Sequence, residues 1–362
     1  MDEHRQRERL DDLITGRDPD GTGPSTVLAI ESLDGTFTWS SGRGPASARE
    51  SATIDATSPY FAASITKLYV AVLTLQLRAD GLIDLDTPLV EVVPHDLTGL
   101  HVIDGVDRTG ELTIGQALAH TTGLPNYLED TARGGSSLLD EALAADRRWG
   151  LDEVIDRSHS VLEAKFAPGH RNRAHYSDTN YQLLGAMIEH VTSQPTDAVL
   201  RERISEPLGL RTTRLFDPDR DDIDAVATLF HRRERLRHPL LLGSVGSDGG
   251  LVTTAAESLV FLRALLSGAL LSMTDVDAMQ ATWRRIFFPF RYGLGMMRFG
   301  LPSVLTGFRN MTMIGHSGAS GALLFVVPAQ GLLVAGTLNQ LEPRRAPFRL
   351  AIRALGTVSS AR

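Results

Sequence analysis

The sequence predicts an α/β (α+β) protein: an antiparallel sheet flanked by helices and formed from both chain ends, plus a mainly helical domain between them. Three observations lead there. The chain begins with a β-hairpin pattern. It ends with three short β-rich runs and an amphipathic helix. Between them lie helical patterns joined by Gly/Pro loops.

At the start, "STVLAIESL" and "TFTWSS" flank Asp34-Gly35, a hairpin turn signal. Next comes "PYFAASITKLYVAVLTLQL", residues 59–77, long enough to be tested as a membrane span. Lys67 near its middle costs about 3 kcal/mol in a bilayer, and Ser64, Thr66, Thr74 and Gln76 add polar groups. A buried helix is expected, and no membrane span.

In the middle, "TIGQALAH" stops at "TTGLP", a glycine followed by proline. "NYQLLGAMIEHVTS" carries Leu184, Met187, Ile188 and Val191 at helical spacing. "TTAAESLVFLRALLSG" opens on a Thr254/Glu257 capping box and closes at Gly268. At the end, "NMTMIGHS", "ALLFVVP" and "GLLVAGTLN" read as strands, and "RRAPFRLAIRAL" as a helix. The domains expected are a discontinuous sheet domain (1–60 and 243–362) and a mainly helical domain (61–242).

Composition narrows the functional classes. Of 362 residues, 42% are hydrophobic and 22% charged, ordinary for a globular protein with its own core. The formal net charge of −8 argues against nucleic acid or an anionic membrane as partner. The absence of cysteine excludes disulfides and thiolate chemistry. "MDEHRQRERLDDLITG" has no apolar run, so it is not a secretory signal and a cytoplasmic location is expected; a chain whose signal had been removed would read the same. "DPDRDDID" lacks the glycine and glutamate of a calcium loop, and the histidines show no zinc spacing, so neither metal nor cofactor is expected. "GSVGSDGG" follows no strand of a βαβ unit and is a weak dinucleotide candidate.

Two serines compete as nucleophile. Ser317 in "IGHSGASG" mimics a G-x-S-x-G elbow, with Ala319 where the last glycine belongs. An elbow needs a following helix and a later histidine. Here a strand-like run follows, and no histidine comes after His316. Ser64 is the better candidate. On a helix, Ser64 and Lys67 share one face a turn apart. Burial among apolar neighbours lowers a lysine pKa, so a neutral amine able to take a hydroxyl proton is expected. The helix start favours developing negative charge at Ser64. Tyr176, just before a helix capped by Ser177 or Asp178, adds a phenol whose ionised form a nearby cation would favour.

Ser64-Ile65-Thr66-Lys67, Tyr176-Ser177-Asp178 and His316-Ser317-Gly318, in that order, resemble the three motifs of the penicillin-recognising serine hydrolases. This group comprises class C β-lactamases, D-Ala-D-Ala carboxypeptidases and family VIII carboxylesterases. "HTTGLP", "GGLVTTAAE" and "YGLG" lie between the motifs, and the resemblance runs from about Ser25 to Leu341. It implies a β-lactamase/DD-peptidase-like fold and an acyl-enzyme on Ser64. It implies that Lys67 and Tyr176 carry protons, that the N–H groups of Ser64 and Ala319 form the oxyanion hole, and that Asp178, His316, Ser317 and Gly318 face substrate.

Two departures bear on substrate. Asp178 stands where β-lactamases have asparagine, and a carboxylate cannot donate to a substrate carbonyl. His316 replaces the lysine of Lys-Thr-Gly, so a fixed positive charge is lost. The expected substrate is a small-molecule ester or amide: a carboxylesterase on small or medium acyl esters comes first. The alternatives are a D-amino-acid peptidase or amidase, an acyltransferase, and a non-turnover penicillin-binding sensor. Oligomeric state is not legible.

Overall fold

The computed structural model describes residues 3–16, 23–132, 134–170, 172–301 and 311–359. The elements that build the site are α1 (Glu3–Thr15), β1 (Thr26–Ser32), β2 (Thr38–Arg43), β3 (Tyr60–Phe61), α2 (Thr66–Ala79) and α3 (Asp178–Thr192). They continue with β4 (Leu251–Thr253), α4 (Ala255–Leu266), β5 (Arg284–Phe287), β6 (Phe290–Tyr292), β7 (Met297–Leu301) and β8 (Met311–Ser317). Last come β9 (Leu323–Val327), β10 (Leu332–Thr337) and α5 (Ala346–Ser359).

Eight strands form one antiparallel sheet in the order β5-β6-β7-β8-β9-β10-β1-β2. The first hairpin joins the last strand, with Ala29 opposite Ala335, so the two chain ends close one sheet. Gly35 in the β1–β2 turn has φ +73°, a left-handed conformation natural to glycine.

Strand alternation divides the core. Val27, Ala29, Leu324, Val326, Leu333 and Ala335 face one way and pack with Leu259 and Leu262 of α4. Leu28, Ile30, Leu323, Phe325 and Val334 face the other and pack with α5 and with Leu10 and Ile14 of α1. Residues 3–15 are thus a covering helix, tied by Trp39 Nε1 donating to Asp11 (3.1 Å).

The stretch 59–77 resolves into β3, a short 3₁₀ turn (Ala63–Ile65) and α2, which is buried along most of its length. Among the described residues, no helix is long and apolar enough to cross a membrane. Thr254 caps α4 by accepting from Glu257 N–H, but Glu257 does not complete the box. Its carboxylate accepts instead from the backbone N–H groups of Arg211, Thr212 and Thr213, since that loop needs acceptors more than the helix start does.

Candidate active site

Ser64 lies in the 3₁₀ turn ahead of α2, where that turn meets β4 and the end of β8. Ala62 N–H donates to Leu251 O (2.8 Å), and Leu251 N–H donates to Thr66 Oγ1 (3.0 Å). Ala63, immediately before Ser64, is held at φ +47°, a conformation that costs a non-glycine residue energy and clusters at functional sites. From the turn after β8, Ser320 Oγ donates to Phe61 O (2.6 Å), and Gly318 comes so close that a Cβ there would lie 2.1 Å from Ala62 O. This approach brings Ala319 beside Ser64, where both line the same two cavities. Among the described residues, nothing accepts from the backbone N–H of Ser64 or Ala319.

Lys67 is completely buried. Its Nζ has three acceptors: Asp178 Oδ1 at 2.7 Å, Asp248 O at 2.5 Å and Ser64 Oγ at 3.3 Å. Three acceptors suit three N–H donors, which is the ammonium form. Burial by itself would lower the lysine pKa, but the Asp178 carboxylate outweighs it, with Tyr176 and Asp248 adding to the pull only where they ionise, and holds the group well above its ordinary value. The neutral amine expected from burial is therefore not the resting state.

Tyr176 is half-buried, with its ring centroid 5.2 Å from Lys67 Nζ and its hydroxyl within reach of Ser64 and Lys67. Burial raises its pKa, Lys67 lowers it, and Asp178 raises it again; the net is about 12. It rests as a phenol, so the expected phenolate is also corrected. His120, at φ +56°, backs the ring at 4.4 Å between centroids.

Asp178 opens α3 without capping it. Ser177 takes the N-cap position, but its hydroxyl donates to Pro125 O (2.7 Å). The Asp178 carboxylate turns inward: Oδ1 meets Lys67, and Oδ2 accepts from Asn126 Nδ2 (3.1 Å).

His316 departs from expectation. It is fully buried and lines neither cavity at Ser64. Nδ1–H donates to Ser317 O (2.8 Å), which leaves Nε2 to accept from Tyr292 Oη (3.0 Å). Burial and the Lys67 charge push its pKa down to about 3, so it is neutral and braces Tyr292 behind the site. The strand pleat explains this: Ser317 faces the cavity while its neighbour faces inward. Ser317, Gly318 and Ala319 do line the cleft.

Two cavities meet at Ser64. One, about 200 Å³, is walled by Leu139, Leu143, Leu236, Leu241 and Leu242 and touches Asp248. The other, about 160 Å³, is walled by Tyr176, Phe287, Phe290, Met297 and Phe348. Glu129, Asp178, Ala319 and Arg344 line both, and Arg344 pairs with Glu129 across the cleft at 2.6 Å. Larger hollows beside His159 (about 520 Å³) and Arg43 (about 750 Å³) are not lined by Ser64, so chemistry rather than size identifies the site.

Asp248 was not anticipated. It lies inside the stretch set aside as a weak dinucleotide candidate. Tyr127 Oη and Gln182 Nε2 both donate to its Oδ2 at 2.8 Å. Burial, then the negative charge of Asp178, raise its pKa to about 8 against the opposing pull of Lys67. The signal in the sequence was an acid between glycines just ahead of an apolar strand.

The profile of the family described as Beta-lactamase matches residues 11–357. The chain is 28% identical to Penicillin-binding protein 4 of Amycolatopsis lactamdurans, over 78% of this chain and 72% of that one. It is 34% identical to Esterase EstB of Burkholderia gladioli over 41% of this chain and 36% of that protein. The D-amino acid amidase from Ochrobactrum anthropi SV3, solved in complex with L-phenylalanine amide, shares the fold at TM-score 0.81, with 21% identity and 99% of each chain covered.

Proposed function

Because the chain belongs to the Beta-lactamase family, whose members are serine hydrolases, we propose that it is a carboxylesterase acting on small or medium acyl esters through an acyl-enzyme on Ser64. One observation carries the preference for esters. Both oxygens of Asp178 are committed, Oδ1 to Lys67 and Oδ2 to Asn126, so this cleft residue offers no N–H to an amide carbonyl. The neutral, buried His316 supplies no charge for a substrate carboxylate. Arg344 is already met by Glu129.

The steps follow from the resting protonation states. Ser64 Oγ attacks the ester carbonyl carbon as Lys67 passes a proton to Asp178 and takes the serine proton. The oxyanion forms against the N–H groups of Ser64 and Ala319; one such donor is worth about 3 kcal/mol. The C–O bond to the alcohol breaks, and Tyr176 protonates the departing oxygen, as a phenol suits. Lys67 then restores the Tyr176 proton. Water repeats the sequence in reverse and frees Ser64. The leucine-walled cavity takes the acyl chain, and the aromatic one takes the alcohol.

The test is a panel of p-nitrophenyl butyrate, D-phenylalanine amide, a D-Ala-D-Ala peptide and a penicillin, with wild type and Ser64→Ala in parallel. Butyrate turnover abolished in Ser64→Ala is expected. Faster turnover of the amide or peptide would replace esterase with amidase or peptidase. A stable penicilloyl adduct without turnover would indicate a sensor. Undiminished activity in Ser64→Ala would remove the nucleophile.

A further inference from the structure

From Ala281 to Leu341 the chain has no Asp or Glu, although its formal net charge is −8. Arg284, Arg285, Arg291 and Arg298 fall within β5–β7, at the free edge of the large sheet. The register sets Arg285 opposite Arg291, and Arg291 opposite Arg298, on one face. Like charges directly opposite in a sheet destabilise it. Among the described residues, no ion pair involves Arg285, Arg291 or Arg298. Arg285 and Arg291 are exposed; Arg298 rests over the Trp283 ring at 5.9 Å. Arg285, Arg291 and Arg298 form a cationic row with no ion-pair partner among the described residues.

The tip of the same hairpin is apolar. Phe287 is 50% exposed and Phe288 65% exposed, whereas Phe290 and Phe299 pack inward near Phe348. Phe287 lies two residue steps along the strand from Arg285, about 7 Å. That spacing matches the depth of roughly 5–10 Å to which apolar groups enter a bilayer surface while cations stay at the headgroups.

We propose that the β5–β6 hairpin docks the protein on an anionic lipid surface, with Phe287 and Phe288 entering the acyl boundary and the arginine row meeting headgroup phosphates. The chain as a whole is acidic, but the sign reverses at this edge, and electrostatic attraction acts within about a Debye length. A soluble polyanion would satisfy the arginines and leave two phenyl rings in water, so the exposed rings favour lipid. Phe287 also lines the aromatic cavity at Ser64, which sets the mouth of that cavity beside the docked surface.

The experiment is co-sedimentation of the full chain with phosphatidylcholine vesicles, with and without one third of the lipid replaced by phosphatidylglycerol. Binding only to the anionic vesicles, weakened by salt, is expected. Arg285→Gln and Arg291→Gln should each weaken it about fivefold. Phe288→Ser should weaken it about tenfold or more. Both arginine variants should melt at or above the wild-type temperature, because repulsion is relieved. Equal binding to both vesicles, no binding to either, or a Phe288→Ser variant that binds like wild type would overturn the proposal. Heparin binding that depends on the arginines but not on Phe288, without vesicle binding, would assign the row to a soluble polyanion instead. No readout involves hydrolysis, so a failure here leaves the Ser64 reading standing.

Discussion

Lys67 Nζ lies 2.7 Å from Asp178 Oδ1, with the lysine wholly buried and the aspartate side chain 7% exposed. This pair fixes the charge state of the site, and it answers to substitution. In Asp178→Asn the buried cation loses its direct counter-charge, and stability should fall by about 3 kcal/mol, measured by urea unfolding. The Lys67 pKa falls with it. The relay then lacks its carboxylate acceptor, so the serine proton must go to a lysine that is already neutral. At pH 6, kcat/KM should drop about a hundredfold and recover as pH rises past the lowered lysine pKa. A variant with wild-type activity and an unchanged pH profile would exclude the relay.

Tyr176→Phe keeps the ring against His120 and Lys67 but removes the phenolic proton. If the phenol is the acid for the leaving group, the loss should scale with how badly the alcohol needs protonation. Ethyl butyrate should lose about a hundredfold or more in kcat, and p-nitrophenyl butyrate far less. Equal losses on both esters would mean that the hydroxyl serves attack rather than departure.

The legible parts of this protein are those whose information is local. Ser64 and Lys67 share a helical face because of a spacing of three residues. Leu323–Val327 and Leu332–Thr337 are apolar runs separated by a Pro328–Gly331 turn, and both are strands. The fold class follows from such runs at both ends. The charge on Lys67 was not legible, because Asp178 and Asp248 O reach it from other segments. The helix at residues 3–15 was not expected, since only Leu10 and Ile14 are fully buried and its support is Trp39 and α5. Strands β5–β7 mix Arg, Gly and Phe, and their alternation becomes clear only once Phe290, Tyr292 and Phe299 are seen buried. His316 matched its motif by position, but the pleat turned it inward.

Asp248 governs the alkaline side. With its pKa raised to about 8, it carries a proton at neutral pH and loses it as pH rises. The groups facing the site titrate elsewhere: Lys67 and Tyr181 are raised, Tyr176 lies near 12, Tyr127 and Tyr292 lie well above 10, and His120 and His316 are neutral. An extra buried negative charge opposes the oxyanion, so kcat/KM should fall roughly tenfold between pH 7 and pH 9. Asp248→Asn should flatten that limb. The stability linkage has the same origin. A carboxyl raised from 3.8 to about 8 favours the folded state most at low pH, and that contribution is lost as pH rises from about 4 through about 8. Wild type should therefore lose more stability than Asp248→Asn between pH 6 and pH 9, measured by urea unfolding. Parallel curves for the two proteins would show that Asp248 does not titrate there.

Gly318 sets the distance between the nucleophile turn and the end of β8. A methyl group there would lie 2.1 Å from Ala62 O and 3.1 Å from Ala63 Cβ. Neither neighbour can yield cheaply: Ala62 O is backbone, and Ala63 is already held at φ +47°. The strand end must move away, carrying the Ala319 N–H from the place where the oxyanion forms. Losing one such donor costs about a hundredfold or more in kcat. Gly318→Ala should therefore lower kcat by at least that factor, with a smaller change in KM because the leucine-walled cavity is untouched. The control is Gly300→Ala in β7, where an added methyl meets nothing within 4 Å, so activity and melting temperature should hold. Wild-type kcat in Gly318→Ala would show that the Ala319 amide is not what holds the oxyanion.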